Sequence, residues 1–221
     1  MSQLIKFGEE VEGYTVPVLN EREIRAAAGI LFLLMFISVT VVLSGGDFTL
    51  LKYAIIIFYS DLLLRVFINP RFSPSLILGR LIVSRQAPEY VGAPQKKFAW
   101  TIGVIIATIM FALVILVNSY SPVTGILCFV CLIFLFFETA FGICLGCLFY
   151  PLFYKKKMQH CPGEVCEKPK RTAIQKTYAS QLLSLAGFIA FLFLVTLFFR
   201  NDFRKKPKPL FGKPVTAISK K

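Results

Sequence analysis

Five long runs of apolar side chains constrain the fold of this chain more than any other feature of its sequence. They cover residues 24–43, 50–68, 98–117, 122–150 and 178–199. A run of about 18 or more apolar residues is long enough for a helix to cross the hydrocarbon core of a bilayer. The sequence therefore predicts an all-α integral membrane protein with five transmembrane helices, or with four if residues 178–199 do not cross.

The composition also favours a membrane location. Hydrophobic residues make up 56% of the chain and charged residues 17%, compared with about 25% charged residues in an average soluble domain. The formal net charge of +13 could suggest a nucleic-acid partner. However, the lysines and arginines flank the apolar runs, where they set topology and contact lipid headgroups. We therefore expect membrane lipid, and no nucleic acid, as the partner of these charges.

The distribution of positive charge predicts the orientation of the chain. If alternate loops share a side with the N-terminus, that side carries 15 lysines and arginines and the opposite side carries nine. Because the more positive side is normally cytoplasmic, the N-terminus and the loop after residue 150 are expected in the cytoplasm. The basic C-terminal tail opposes this assignment, since five spans place the tail on the other side.

The chain divides into four regions. A membrane core covers residues 1–155, a basic cysteine-containing loop covers 156–177, the fifth span covers 178–199, and a flexible basic tail is predicted for 200–221. Within the core, residues 75–84 have apolar side chains at roughly helical spacing. They predict a short amphipathic helix at the membrane surface, with Arg80 toward the headgroups. Lys96 and Trp100 are expected at the interfacial end of the third span.

Charged residues inside the apolar runs are the first candidates for a structural or functional site. Asp61 and Arg65 are four positions apart, so they share a helix face and can form a buried ion pair. A proton or ion pathway is the alternative. Near the start of the first span, Asn20 is expected to cap the helix, and Glu21 is expected to form an i,i+4 pair with Arg25.

The six cysteines are the second set of candidates, and all of them lie within residues 128–166. They form three pairs: Cys128 with Cys131, Cys144 with Cys147, and Cys161 with Cys166. In each of the first two pairs the i,i+3 spacing places both thiols on one helix face, within reach of a disulfide or a shared ligand. Free cysteine is also a common small core residue, so packing remains an alternative for the first pair.

Helix geometry limits which cysteines can act together. Along an unbroken helix, Cys131 and Cys144 are about 20 Å apart, so the two pairs form separate sites unless the helix breaks. A break is plausible, because residues 122–150 would form a helix of about 43 Å in a core of about 30 Å, and because Gly142 and Gly146 bracket Cys144. In a regular helix Glu138 shares a face with Cys131 and faces away from Cys144. Glu138 is expected to serve as a proton partner or to bond to a neighbouring helix.

The second and third pairs can converge, because only 13 residues separate Cys161 from Cys147. Two chemistries follow. One is a relay of electrons or sulfur that needs no cofactor. In this relay Cys144 and Cys147 are the reactive pair, and Cys161 and Cys166 either resolve the intermediate disulfide or deliver electrons or sulfur to the reactive pair. The other is a zinc or iron–sulfur site. Its ligands would come from the following set: Cys144, Cys147, Cys161, Cys166 and His160.

Several short motifs make the chain resemble a family of bacterial integral membrane proteins known only as a domain of unknown function. The resemblance covers residues 14–155 and rests on the following segments: Val18 to Arg25, Asp61-x3-Arg65, Phe72-Ser-Pro74, Lys97-Phe-Ala-Trp-x-x-Gly103, and Glu138-x3-Gly142-x-Cys144-x-Gly-Cys147-x-x-Tyr150. It implies a bacterial inner-membrane location and thioredoxin-like or rhodanese-like protein partners, and therefore thiol or sulfur traffic.

The sequence favours two functions over a third, a small-solute transporter with Asp61, Arg65 and Glu138 along its path, because no inverted repeat supports the transporter. The first is a thiol-dependent redox or sulfur-relay protein that uses Cys144 and Cys147, with Cys128 and Cys131 as an outer pair and Glu138 as proton partner. The second is a non-catalytic subunit of a larger membrane complex, whose cysteines pack or hold zinc or an iron–sulfur cluster. The sequence leaves open whether the protein is an enzyme.

Overall fold

The computed structural model describes residues 7–12, 14, 16–150, 177–205 and 207–209, and it is mainly helical in these ranges. Seven α-helices are assigned within them. Their bounds are as follows: α1 Glu21–Gly45, α2 Thr49–Leu63, α3 Pro74–Ile82, α4 Ala93–Phe111, α5 Pro122–Phe136, α6 Leu145–Leu148 and α7 Ala179–Phe203. The predicted all-α class is confirmed.

Four helical segments are long and apolar enough to cross a membrane. They are the following: Glu21–Gly45, Ala93–Leu116, Pro122–Phe141 and Ala179–Phe203. They correspond to the first, third, fourth and fifth predicted spans. This makes the chain a multi-pass membrane protein. The second predicted span is also helical, but it carries three charged side chains that are buried in the bundle, Lys52, Asp61 and Arg65.

Three of the long helices end in a π-helical turn. These turns are Leu64–Ile68 after α2, Ala112–Leu116 after α4 and Phe137–Phe141 after α5. A π-turn widens the helix by one residue per hydrogen bond and is often found at functional sites. The third turn is followed by a sharp break at Gly142, so the fourth span ends well before residue 150.

The helices pack around an apolar core to which α1, α2, α4 and α5 all contribute. Ala27, Leu31, Ile55, Ala107 and Met110 are nearly inaccessible to solvent. Asn20 begins α1 as predicted, since its side-chain oxygen accepts a hydrogen bond from the Arg22 backbone N–H. Short antiparallel strands, β1 Val18–Asn20 and β2 Tyr90–Gly92, pair just before α1 and α4. They hold the starts of these two helices side by side.

The last helix lies along the bundle from one end to the other. Near its start, the Ser184 hydroxyl donates to the Phe72 carbonyl at 3.2 Å. At its end, the ring of Phe203 lies 4.7 Å from that of Tyr53 at the opposite end of α2. α7 therefore runs antiparallel to α2.

A flexible tail was predicted for residues 200–221, and the structure describes residues 200–205 and 207–209 of it. α7 continues to Phe203, the Lys205 carbonyl accepts a 2.7 Å hydrogen bond from buried Lys52, and β4 Lys208–Pro209 pairs with β3 Ser119–Tyr120. Lys52 also donates to the Asn118 side chain at 2.7 Å. These contacts bind the first part of the tail to the bundle, and residues 210–221 lie outside the described residues.

The predicted position of the amphipathic helix is nearly right, but its orientation is wrong. α3 covers Pro74–Ile82, and its Arg80 is buried, with Nε 3.0 Å from Oε2 of Glu23. Leu81 and Ile82 are exposed instead. Arg80 points into the bundle because it forms an ion pair there with Glu23 of α1. Gly79 lets α3 pack closely against α1, since a Cβ at position 79 would lie 2.5 Å from the Glu23 carbonyl oxygen.

Candidate functional site

The candidate site is a pair of thiols placed where the fourth span breaks. The Sγ atoms of Cys144 and Cys147 lie 2.6 Å apart. Cys144 is half-buried and Cys147 is buried, and the Cys147 thiol also lies 3.6 Å from the Gln95 carbonyl oxygen on α4. The arrangement agrees with the prediction from their i,i+3 spacing that the two sulfurs lie within disulfide reach.

The break that creates the site depends on two glycines. Gly142 has φ +68°, a left-handed conformation that glycine adopts at little cost, and the chain restarts as α6 three residues later. Gly146 then packs against α4 so closely that a Cβ would lie 2.7 Å from the Cβ of Ala99. These two positions turn the cysteine pair back against the bundle.

A buried ion cluster lies beside the thiols. The Lys96 ammonium is 1% exposed and lies 2.7 Å from Oε1 of Glu138. It also lies 2.8 Å from one carboxylate oxygen of Glu21 and 3.0 Å from the other. One cation therefore joins two carboxylates, one from α1 and one from the end of the fourth span.

These contacts correct three sequence-based expectations. Lys96 and Trp100 were expected at the membrane interface, but both are buried in the bundle. Glu21 pairs with Lys96, whereas the predicted ion pair with Arg25 is not formed among the described residues. In contrast, Glu138 bonds to Lys96 of the neighbouring helix α4, which is one of the two roles predicted for it.

The expectation that Glu138 faces away from Cys144 was wrong because it assumed a regular helix. The π-turn at Phe137–Phe141 and the break at Gly142 bring Cys144 back toward Glu138. The Cys144 thiol lies beyond the end of the spanning segment. Its pKa is raised well above the usual range, first because it shares a hydrogen bond with Cys147 and second because it is shielded from water, while Lys96 lowers the pKa. These surroundings favour the thiol form of Cys144 over the thiolate.

A cavity of about 60 Å³ adjoins this group. Cys131, Glu138 and Cys144 line one part of it, and Arg65 and Trp100 line another. Members of two cysteine pairs thus border the same space, although a straight helix would have kept them on separate sites. Sequence reasoning could not place Trp100 here, because its spacing from Lys96 shows that they share a helix face but not what that face contacts.

Asp61 and Arg65 form the buried ion pair that the sequence predicted. Arg65 Nη2 lies 2.8 Å from Oδ2 of Asp61. The Asp61 carboxylate also accepts hydrogen bonds from the Ser73 hydroxyl and from the hydroxyl and backbone N–H of Ser75. Both charges are compensated by several hydrogen bonds, which supports a structural role that ties α2 to the start of α3.

The first cysteine pair lies in the apolar core. Cys128 and Cys131 are 5% and 4% exposed, and the Cys131 thiol lies 4.0 Å from the Met110 sulfur. These surroundings favour a packing role for the pair. Cys131 also forms part of the cavity lining described above.

The remaining predicted site residues, Cys161, Cys166 and His160, lie outside the described residues. The proposed delivery pair and the four-thiolate metal site therefore remain predictions. Within the ranges that the structure describes, no three His, Cys, Asp or Glu side chains are grouped closely enough to hold a metal ion.

The fold and the site together define a class: a multi-pass helical membrane protein with a Cys-x2-Cys pair at a helix break, beside a buried Glu–Lys–Glu cluster. Residues 19–155 match the model of the family described as Domain of unknown function (DUF4395). Since this match covers more than half of the 221 residues, the chain belongs to that family. No curated protein and no solved structure matches the chain.

Proposed function

We propose that this protein is a membrane-embedded thiol redox or sulfur-relay protein in which Cys144 and Cys147 are the reactive pair. The observation that carries the proposal is the 2.6 Å separation of their Sγ atoms. Two thiols held this close can exchange between dithiol and disulfide with little movement of the backbone. The resemblance of the chain to proteins that accompany thioredoxin-like and rhodanese-like partners supports the same chemistry.

Exposure assigns different roles to the two thiols. Cys144 is the more accessible, so it attacks a disulfide of the partner to form a mixed disulfide, and the partner's other sulfur leaves with an electron pair and takes a proton. Buried Cys147 then attacks Cys144, which forms the internal disulfide and releases the partner as a dithiol. Two electrons and two protons pass from this chain to the partner.

A sulfur relay would use the same pair. Cys144 attacks the outer sulfur of a partner's persulfide, takes that sulfur and releases the partner's thiolate. Attack by Cys147 then releases hydrosulfide and leaves a disulfide, which a dithiol partner must reduce before the next cycle. In either scheme, Cys161 and Cys166 are proposed to deliver electrons or sulfur to the reactive pair or to resolve its disulfide.

We also propose five crossings in a bacterial inner membrane, with the N-terminus and the thiol pair on the cytoplasmic side. The antiparallel course of α7 along α2 supports the count. The 15 positive charges on the N-terminal side, against nine on the other, support the orientation.

The second candidate is an accessory subunit of a membrane complex without catalytic thiols. The packing of Cys128 and Cys131 in the core favours it, because their burial shields both thiols from a partner protein. In this case Cys144 and Cys147 would also pack or would hold zinc or an iron–sulfur cluster, with ligands from residues 160–166.

The deciding experiment is trapping of a mixed disulfide in the full-length protein in lipid nanodiscs. With Cys147→Ser, Cys144 should retain a thioredoxin-like protein in a stable mixed disulfide, because the resolving thiol is gone. Cys144→Ser should trap nothing, and Cys128→Ser should behave as the wild type. Metal analysis of the same samples tests the alternative: bound zinc or iron lost in both Cys144→Ser and Cys147→Ser, with no trapped complex, would overturn the relay.

A further inference from the structure

The cavity beside Cys144 has a mainly apolar lining into which a few polar side chains are set. Arg65, Trp100, Glu138 and Cys144 all border it. One water molecule needs about 10–15 Å³ by comparable measures, so a space of about 60 Å³ holds several. A buried water also needs two to four polar partners, and the polar groups of Arg65, Trp100, Glu138 and Cys144 can provide them.

Trp100 supplies an independent sign that the cavity is occupied. Its side chain is 5% exposed, and its indole Nε1 has no hydrogen-bond partner among the described residues. A buried N–H without an acceptor loses its hydrogen bond to water and gains none in return. The ring is held in place by the Arg65 guanidinium, 5.0 Å from its centre, and by the edge of Phe7. A fixed, buried donor with no protein acceptor indicates a water molecule.

We propose that water in this cavity connects the Cys144 thiol to the carboxylate of Glu138, and that Glu138 accepts the proton that Cys144 loses before it attacks a partner. This step rests on the proposed function. The S–H bond of Cys144 breaks and its proton passes through water to a Glu138 oxygen. The electron pair left on sulfur then forms the bond to the partner.

The ion cluster is suited to this transfer. Lys96 contacts both Glu138 and Glu21, so protonation of Glu138 still leaves the buried ammonium paired with one carboxylate. Lys96 is also close enough to stabilise a thiolate on Cys144. The charged or titratable groups near Cys144 come from several elements. Lys96, Glu138 and Cys147 interact with the thiol itself, and Arg65 and Cys131 line the same cavity. Arg25 lies against Gly142, and Glu21 is linked to the group through Lys96.

The first test asks whether the cavity contains water, and it is independent of thiol chemistry. Trp100 is the only tryptophan in the chain, so ¹⁵N-labelled protein in nanodiscs gives a single indole resonance. A cross-peak between this N–H and water is expected, and Glu138→Gln should alter it. Trp100 also borders a space of about 20 Å³ with Glu23 and Asn69. A cross-peak that Glu138→Gln leaves unchanged would place the water there and overturn the connection, as would the absence of any cross-peak.

The second test asks whether Glu138 accepts the proton. In Glu138→Gln, the reaction of Cys144 with a small disulfide such as dithiodipyridine should slow by about a hundredfold near neutral pH and recover in strong base, where hydroxide replaces the carboxylate. Glu89→Gln, at an exposed ion pair, is the control and should match the wild type. An equal loss at every pH, or no loss, would overturn the role of Glu138. Wild-type Cys144 that does not react at all would instead contradict the proposed function, whatever the indole resonance shows.

Discussion

The ammonium group of Lys96 lies 2.7 Å from the carboxylate of Glu138, which is 42 positions further along the chain. The contact joins the start of α4 to the last turn of the fourth span, directly before the break that carries Cys144 and Cys147. It therefore links the stability of the bundle to the position of the thiol pair.

Lys96→Met should be strongly destabilising, because it leaves the carboxylates of Glu21 and Glu138 buried without a cation. The loss in the free energy of unfolding should be about 3–5 kcal/mol. Glu138→Gln should cost less, since Lys96 keeps Glu21. Thermal unfolding in detergent measures both. The control is Lys97→Met at the adjacent exposed position, where only a cation–π contact of about 0.5–1 kcal/mol is lost. Equal effects at positions 96 and 97 would contradict the buried cluster.

Asp61→Asn and Arg65→Gln should each destabilise the protein by about 3–5 kcal/mol, because the remaining charge is buried without its partner. The double variant should recover part of the loss. A double-mutant cycle of unfolding free energies measures the interaction. The same cycle on Arg22 and Glu89, which are 34% and 40% exposed, should give no more than about 1 kcal/mol. Strictly additive losses at Asp61 and Arg65 would show that the two charges act separately.

The helices could be predicted because hydrophobicity alone requires them, and the buried Asp61–Arg65 pair followed from spacing within one helix. Contacts between distant elements could not be predicted this way. Composition shows that Lys96, Arg80 and Trp100 carry polar groups, but it does not show that carboxylates of α1 and the fourth span would draw Lys96 and Arg80 inward. Each was therefore assigned to the membrane surface.

The helix break was foreseen only in outline. The excessive length of residues 122–150, together with the glycines Gly142 and Gly146 on either side of Cys144, indicated that one was plausible. Glycine is frequent in membrane helices, so the sequence did not show which residue would adopt the left-handed conformation. The break decides the site, since it is the reason that Cys144 meets Glu138 and borders the same cavity as Cys131.

Gly146→Ala should destabilise the protein by about 1–3 kcal/mol through overpacking, because the new methyl would lie 2.7 Å from the Cβ of Ala99. Combination with Ala99→Gly should restore part of the stability, as measured by thermal unfolding. Gly187→Ala is a matched control in the middle of α7, where a Cβ meets no atom within 4 Å. It should stabilise by about 0.4–1 kcal/mol. A loss at Gly187 as large as that at Gly146 would exclude overpacking as the cause.

The raised pKa of Cys144 predicts how the thiol responds to pH. Alkylation of Cys144 by iodoacetamide, followed by mass spectrometry of its peptide, should be slower near neutral pH than alkylation of glutathione. The alkylation rate should continue to rise with pH beyond the range where an ordinary thiol reaches its plateau, because the Cys144 thiolate forms only at that higher pH.

The folded chain binds this proton more tightly than the unfolded chain, so the contribution to stability is present below the ordinary thiol pKa and is lost as pH rises through the folded value. Cys147→Ala should bring the alkylation profile closer to that of glutathione, since it removes the hydrogen bond that is the largest cause of the shift. A wild-type profile that already levels off at neutral pH would contradict the prediction.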